Sequence, residues 1–130
     1  MPEPEKLTIN LSVVDLGHID LLVDEGHYTN RSDFIRAAIR TQLSLHTDAL
    51  KQAIVRKSMA IGVLRYNRRD LEKLLSLGER LALRVIGLVV LDDDIPTELA
   101  VQTIESIVVK GVLRCSGGVR DALAGRIHFE

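Results

Sequence analysis

The sequence predicts an α+β chain in two parts, a small strand–helix–helix module followed by a small βαβαβ layer. Three observations predict it. One short segment near the start alternates apolar and polar residues, two helical patterns with cap residues follow it, and apolar strand-like runs then alternate with further helices.

The alternating segment is residues 6–12. With a side-chain period of two, Leu7, Ile9 and Leu11 share one face, and Lys6, Thr8 and Asn10 the other. A single strand has no partner within this module, so its backbone donors and acceptors need one from elsewhere. An antiparallel copy from a second chain supplies it. The resulting two-stranded ribbon has an apolar underside and an outer face of a cation, a hydroxyl and an amide. A ribbon of that kind fits the DNA major groove, where such groups read base edges.

Ser12 is placed to cap a helix over residues 13–25, with Leu16, Ile19, Leu22 and Val23 as its apolar stripe. Gly17 weakens this helix and Gly26 stops it. A second helix opens at Asn30, with Asp33 three residues on completing a capping-box-like pair. Phe34, Ile35, Ala38, Ile39 and Leu43 form its apolar face. Its unpaired first amides, beside Arg31 and Ser32, make a seat for phosphate. The simpler reading is an ordinary capped helix. A module this small cannot bury a self-sufficient core without a metal, a disulfide or a partner. An intertwined dimer answers both the unpaired strand and the missing core.

These residues resemble the ribbon-helix-helix superfamily of MetJ, Arc and CopG. The run over residues 6–11, the helix after it, and the segment from Tyr28 through Asn30, Arg31 and Ser32 to Arg36 carry the resemblance. The resemblance implies that Lys6, Thr8 and Asn10 read bases and that Asn30, Arg31 and Ser32 anchor phosphate.

Beyond the module, the second helix continues toward Lys57 with a break near His46 and Thr47, and residues 59–66 read as a strand. Asn67 and Asp70 repeat the capping pattern before a helix with apolar positions Leu71, Leu74, Leu75 and Leu81. Residues 85–91 form a continuous apolar run, as in a buried strand. Asp92, Asp93 and Asp94 make an acidic turn before Pro96, which suits a first helical turn. Leu99, Ala100, Ile104, Ile107 and Val108 then continue as a helix ending at Gly111, and residues 112–115 read as a short third strand. The expected division is residues 1–47 for DNA binding and dimerisation, 48–58 as linker or helix extension, and 59–130 for oligomerisation or effector sensing.

This half resembles the regulatory domain of the nickel-responsive repressors, an ACT-like βαββαβ unit that assembles a tetramer. Tyr66, Arg68, Arg69, Asp70 and Leu71 at the helix start carry that likeness, with the last helix, glycine and strand. One central strand of that unit is missing, and so are the nickel-binding histidines and cysteine.

Composition sets limits. The formal net charge of −1 gives no general attraction to nucleic acid, so DNA contact must come from local cations. Arg68 and Arg69 oppose the dipole of the helix they open, so they need a nearby anion: DNA phosphate, an anionic effector, or a carboxylate such as Glu72. The four histidines, His18, His27, His46 and His128, lie at spacings unlike a metal motif, and the three aspartates read as a solvated turn, with a hard-cation site as the less favoured alternative. The single Cys115 fits a reducing compartment. The acidic first residues are unlike a signal peptide, and a cytoplasmic protein without cofactor or metal is expected. No catalytic motif occurs. Aromatic residues, 3% of the chain, are too few for a single-strand stacking platform.

The expectation is a sequence-specific regulator, a repressor on a palindromic or repeated double-stranded operator. It is a homodimer, with a homotetramer through the C-terminal part and an unidentified small-molecule effector as further options. An antitoxin would use the same DNA-binding module and neutralise a toxin through its C-terminal part. A third reading is a metabolite-binding protein or enzyme that uses the first strand only to dimerise.

Overall fold

The computed structural model describes residues 5–129. Of the acidic start, residues 1–4 lie outside the described residues. The chain divides into two compact units, the first ending at Ala53 and the second beginning at Ile54. Among the described residues, no helix is long and apolar enough to cross a membrane.

In the first unit, residues 5–12 carry no strand pairing within the single chain, and Leu7, Ile9 and Leu11 are exposed. Helix α1 (Val13–Asp24) is capped by Ser12, whose hydroxyl accepts from the Asp15 amide at 3.1 Å. Helix α2 (Arg31–Ser44) is capped by Asn30, which accepts from the Asp33 amide at 2.8 Å. The Asp33 carboxylate reaches back to the Thr29 amide at 2.9 Å, one residue before the cap it was expected to serve. Tyr28 and Phe34 meet edge to face across the turn, with ring centroids 5.0 Å apart. A break at Leu45 and His46 precedes helix α3 (Thr47–Arg56), within which the two units divide. Ile19 is the one buried residue among the described residues of the first unit. Ile39, Leu43, Leu45 and Leu50 are exposed.

The second unit is a four-stranded sheet with helices between its long strands. Its elements are β1 (Ala60–Tyr66), α4 (Arg68–Ser76), β2 (Leu81–Leu91), α5 (Thr97–Thr103), β3 (Ile104–Arg114) and α6 (Gly117–Ala122). A 3-10 turn (Ala124–Arg126) leads into β4 (Ile127–His128). The strands lie in the order β1-β2-β3-β4, all parallel. Leu71, Leu99, Ala100, Val119 and Leu123 pack on Leu83, Val85, Val89, Leu91, Ile107, Val109 and Leu113 in one core. By alternation, Ile61, Val63, Ile86, Leu88, Val90 and Val112 fall on the opposite sheet face. Ile61 and Val63 are exposed there.

Four expectations are corrected. Leu81 opens β2 rather than closing α4, which ends where Gly78 takes φ +67. Pro96 is the N-cap of α5 and lies outside its first turn. Ile104, Ile107 and Val108 belong to β3, because α5 stops at Thr103, whose hydroxyl turns back to the Leu99 carbonyl at 2.7 Å. The β-branched run then pairs with β2 from Leu81 to Val90. The short third strand is the end of this longer one. A helix separates each successive pair of long strands, in keeping with the missing central strand noted in the sequence, and β4 adds a strand beyond the expected βαβαβ.

A feature missed in the sequence sits at the centre of the sheet. Gly62, Gly87 and Gly111 are in register across β1, β2 and β3, with φ of +136, +134 and +127. Only glycine holds such values without strain. The signal was the recurrence of Gly-Val-Leu, Gly-Leu-Val and Gly-Val-Leu at these strands.

Candidate nucleic-acid interface

Lys6, Thr8 and Asn10 lie in the exposed segment ahead of α1, alternating with the apolar residues Leu7, Ile9 and Leu11. Both sets of side chains are open to solvent in the single chain. An extended strand here would present them on opposite faces.

The start of α2 is built by local chemistry. The Asn30 side-chain oxygen is engaged in capping, which fixes the direction in which the first turn points. The first intrahelical bond runs from the Phe34 amide to the Asn30 carbonyl at 3.2 Å. The amides of Arg31 and Ser32 stand ahead of it, at the positive end of the helix. Ser32 is exposed.

Arg31 is more constrained than its sequence position suggests. Its Nε donates to Asp20 Oδ1 at 2.7 Å and its Nη2 to Asp20 Oδ2 at 2.8 Å, a two-point grip on a carboxylate of α1. The hydrogen bond from Arg31 holds the Asp20 carboxyl below the usual aspartate range, against desolvation and with lesser help from the guanidinium charge. Asp20 in turn raises the Arg31 pKa, first by the same hydrogen bond. Sequence spacing gave no sign of this contact, which joins two helices.

Arg68 and Arg69 open α4 in the second unit. Arg68 Nε donates to Glu72 at 2.7 Å, and its backbone amide donates to Asp94 at 3.0 Å. Asp94 therefore occupies part of the helix start that an external anion would use. Arg69 is exposed. Asp92 pairs with Arg65 at 2.9 Å. Two members of the acidic turn thus bind the neighbouring strand–helix unit. Among the described residues, no group of three acidic, histidine or cysteine side chains is placed to hold a metal ion.

Two open clefts flank β1. One, of about 450 Å³, is lined by Tyr66, Asp70, Lys73, Leu74, Leu77 and Leu81, with Arg65 at its edge. The other, of about 250 Å³, lies at the carboxyl ends of β2 and β3, between Arg65, Asp92, Asp93, Arg114 and Cys115. Burial pushes the Cys115 thiol pKa up, with Arg120 pulling the other way.

No curated protein and no solved structure matches the chain. A family profile does match, and it spans both units, over residues 2–120. The cap at Asn30, the two helices behind the exposed alternating segment and that profile agree, and the chain belongs to the Ribbon-Helix-Helix transcriptional regulator family.

Proposed function

We propose that the protein is a transcriptional repressor that binds specific double-stranded DNA as a homodimer. Residues 6–12 of two copies pair into an antiparallel ribbon that enters the major groove. Lys6, Thr8 and Asn10 read base edges, and Asn30, Arg31 and Ser32 hold the flanking phosphates. Residues 1–47 carry this activity, 48–58 form the connection and 59–130 oligomerise or sense an effector. A cytoplasmic location follows from that role.

One observation carries the proposal. The first unit leaves Leu7, Ile9 and Leu11 in water beside a core whose single buried described residue is Ile19. A ribbon formed with a second copy covers those residues and satisfies the strand's backbone at the same time. The side chains left outward are the ones able to read DNA.

The second unit has its own packed core, which favours an oligomerising or sensing role over a toxin-binding tail that orders on contact. Pairing of two dimers through it is supported by the apolar residues Ile61 and Val63 exposed on the sheet. Of the pair Arg68 and Arg69, Arg69 is the one that serves as a secondary anion contact, because Arg68 already holds the Glu72 carboxylate.

Footprinting on the DNA upstream of the protein's own gene, at near-physiological salt, tests the proposal. Protection of repeated short half-sites supports it. Salt-sensitive binding without protected half-sites, or no binding, contradicts it.

A further inference from the structure

The Arg31 guanidinium has two donors on one edge, and both are already taken by Asp20, at 2.7 and 2.8 Å. That fork fits a phosphate as well as it fits a carboxylate, so the two anions compete for one edge of one side chain. The pair is open to solvent, with Arg31 55% and Asp20 45% exposed, so a phosphate can reach it.

We infer that Asp20 is a specificity-determining residue that withholds Arg31 from DNA until a phosphate lands squarely on the start of α2. This rests on the reading of Arg31 as a phosphate contact. The physical basis is the origin of sequence-independent affinity, the release of counterions by unpaired cations. A guanidinium already neutralised by Asp20 adds little to that term. At a correct site the ribbon fixes the register and brings a phosphate to the waiting amides of Arg31 and Ser32. Exchange of carboxylate for phosphate is then supported by those amides as well as by the guanidinium. Asp20 therefore weakens binding to arbitrary DNA more than binding to the operator.

Full-length Asp20→Asn, Asp20→Ala, Arg31→Ala and the Asp20→Ala/Arg31→Ala double variant test this. Each is titrated over a range of salt against a random-sequence duplex and against a duplex carrying the footprinted site. Helix content by circular dichroism checks each fold. An exposed ion pair is worth a factor of about 1.4 to 5, and two pairs act per dimer, so both Asp20 variants should bind random duplex roughly two- to thirty-fold more tightly. Their salt dependence should steepen by up to about 0.9 in log–log slope per protomer. The ratio of operator to random affinity should fall. In the double variant the gain should vanish, because it passes through Arg31.

Several results overturn the inference. Unchanged affinity and slope in both Asp20 variants, with Arg31→Ala still weakening binding, leave Arg31 a phosphate contact and remove Asp20 as its restraint. Weaker binding in the Asp20 variants makes Asp20 a support for Arg31 and ends the competition model. A gain that persists without Arg31 reduces Asp20 to a general charge effect. A silent Arg31→Ala removes the phosphate role on which the inference stands. Failure of the unaltered protein to bind either duplex defeats the proposed function itself.

Discussion

Gly87 lies so close to Gly62 across the β1–β2 ladder that a Cβ on Gly87 would sit 2.1 Å from the Gly62 carbonyl oxygen. Gly111 stands in the same relation to Gly87, again at 2.1 Å. At Gly62, on the outer strand, an added Cβ meets nothing within 4 Å. Alanine substitutions should therefore be graded. Gly62→Ala carries backbone strain alone, about 1–3 kcal/mol. Gly87→Ala and Gly111→Ala add a collision with backbone and should cost more than about 4 kcal/mol, enough to unfold the second unit. Urea denaturation of the three variants measures the order, and equal losses would remove the collision as the cause.

The proposed ribbon predicts a different failure at Ile9. Ile9→Asp places a charge on the apolar underside in both copies. The dimer dissociation constant should rise at least about a hundredfold, equivalent to about 3 kcal/mol. Analytical ultracentrifugation reads it. An unaltered dimer would place the interface elsewhere.

Substitutions on the outer face should leave assembly intact and change recognition. Thr8→Ala and Asn10→Ala should each cost about 1–3 kcal/mol at the operator and relax base preference at one position. Binding to operators substituted one base pair at a time measures both. Affinity and preference that survive both changes would show that the ribbon is not the reader.

The Asp20–Arg31 pair predicts a pH dependence of definite sign. The Asp20 pKa is depressed in the folded chain, so the stabilisation from the pair is present at neutral pH and is lost as pH falls through the folded value. The Asp20 carboxyl signal in NMR should titrate below the ordinary aspartate value of about 3.9. Arg31→Ala should return it to that value. A midpoint that does not move would mean that Arg31 does not hold the carboxylate in solution.

Much of the local structure was legible because it depends on near neighbours. Ser12, Asn30 and Asn67 each stand three residues before an aspartate, and each caps the helix expected. What failed depended on distant partners. Leu99, Ala100, Ile104, Ile107 and Val108 satisfy a helical period, yet the last three are strand because β2 offers a ladder along their length. The Gly117–Gly118 pair concealed a helix that Ser116 caps through the Val119 amide, and a strand beyond it. Of the candidate interface, the residue types at positions 6, 8, 10 and 30–32 were visible in the sequence. The hold of Asp20 on Arg31 was not, since it requires knowing how α1 meets α2.

The acidic turn after β2 has a consequence for how the second unit comes apart. Three similar strand–helix segments laid side by side resemble a row of bricks, and such rows can lose their end pieces first. Here Asp92 and Asp94 fasten the first segment to the second through Arg65 and the Arg68 amide. Arg126 reaches back from the last segment to the carbonyls of Val101 and Ile104. Mortar of this kind ties the end segments to the middle one, so calorimetry of the second unit should show one transition and no earlier loss of its ends.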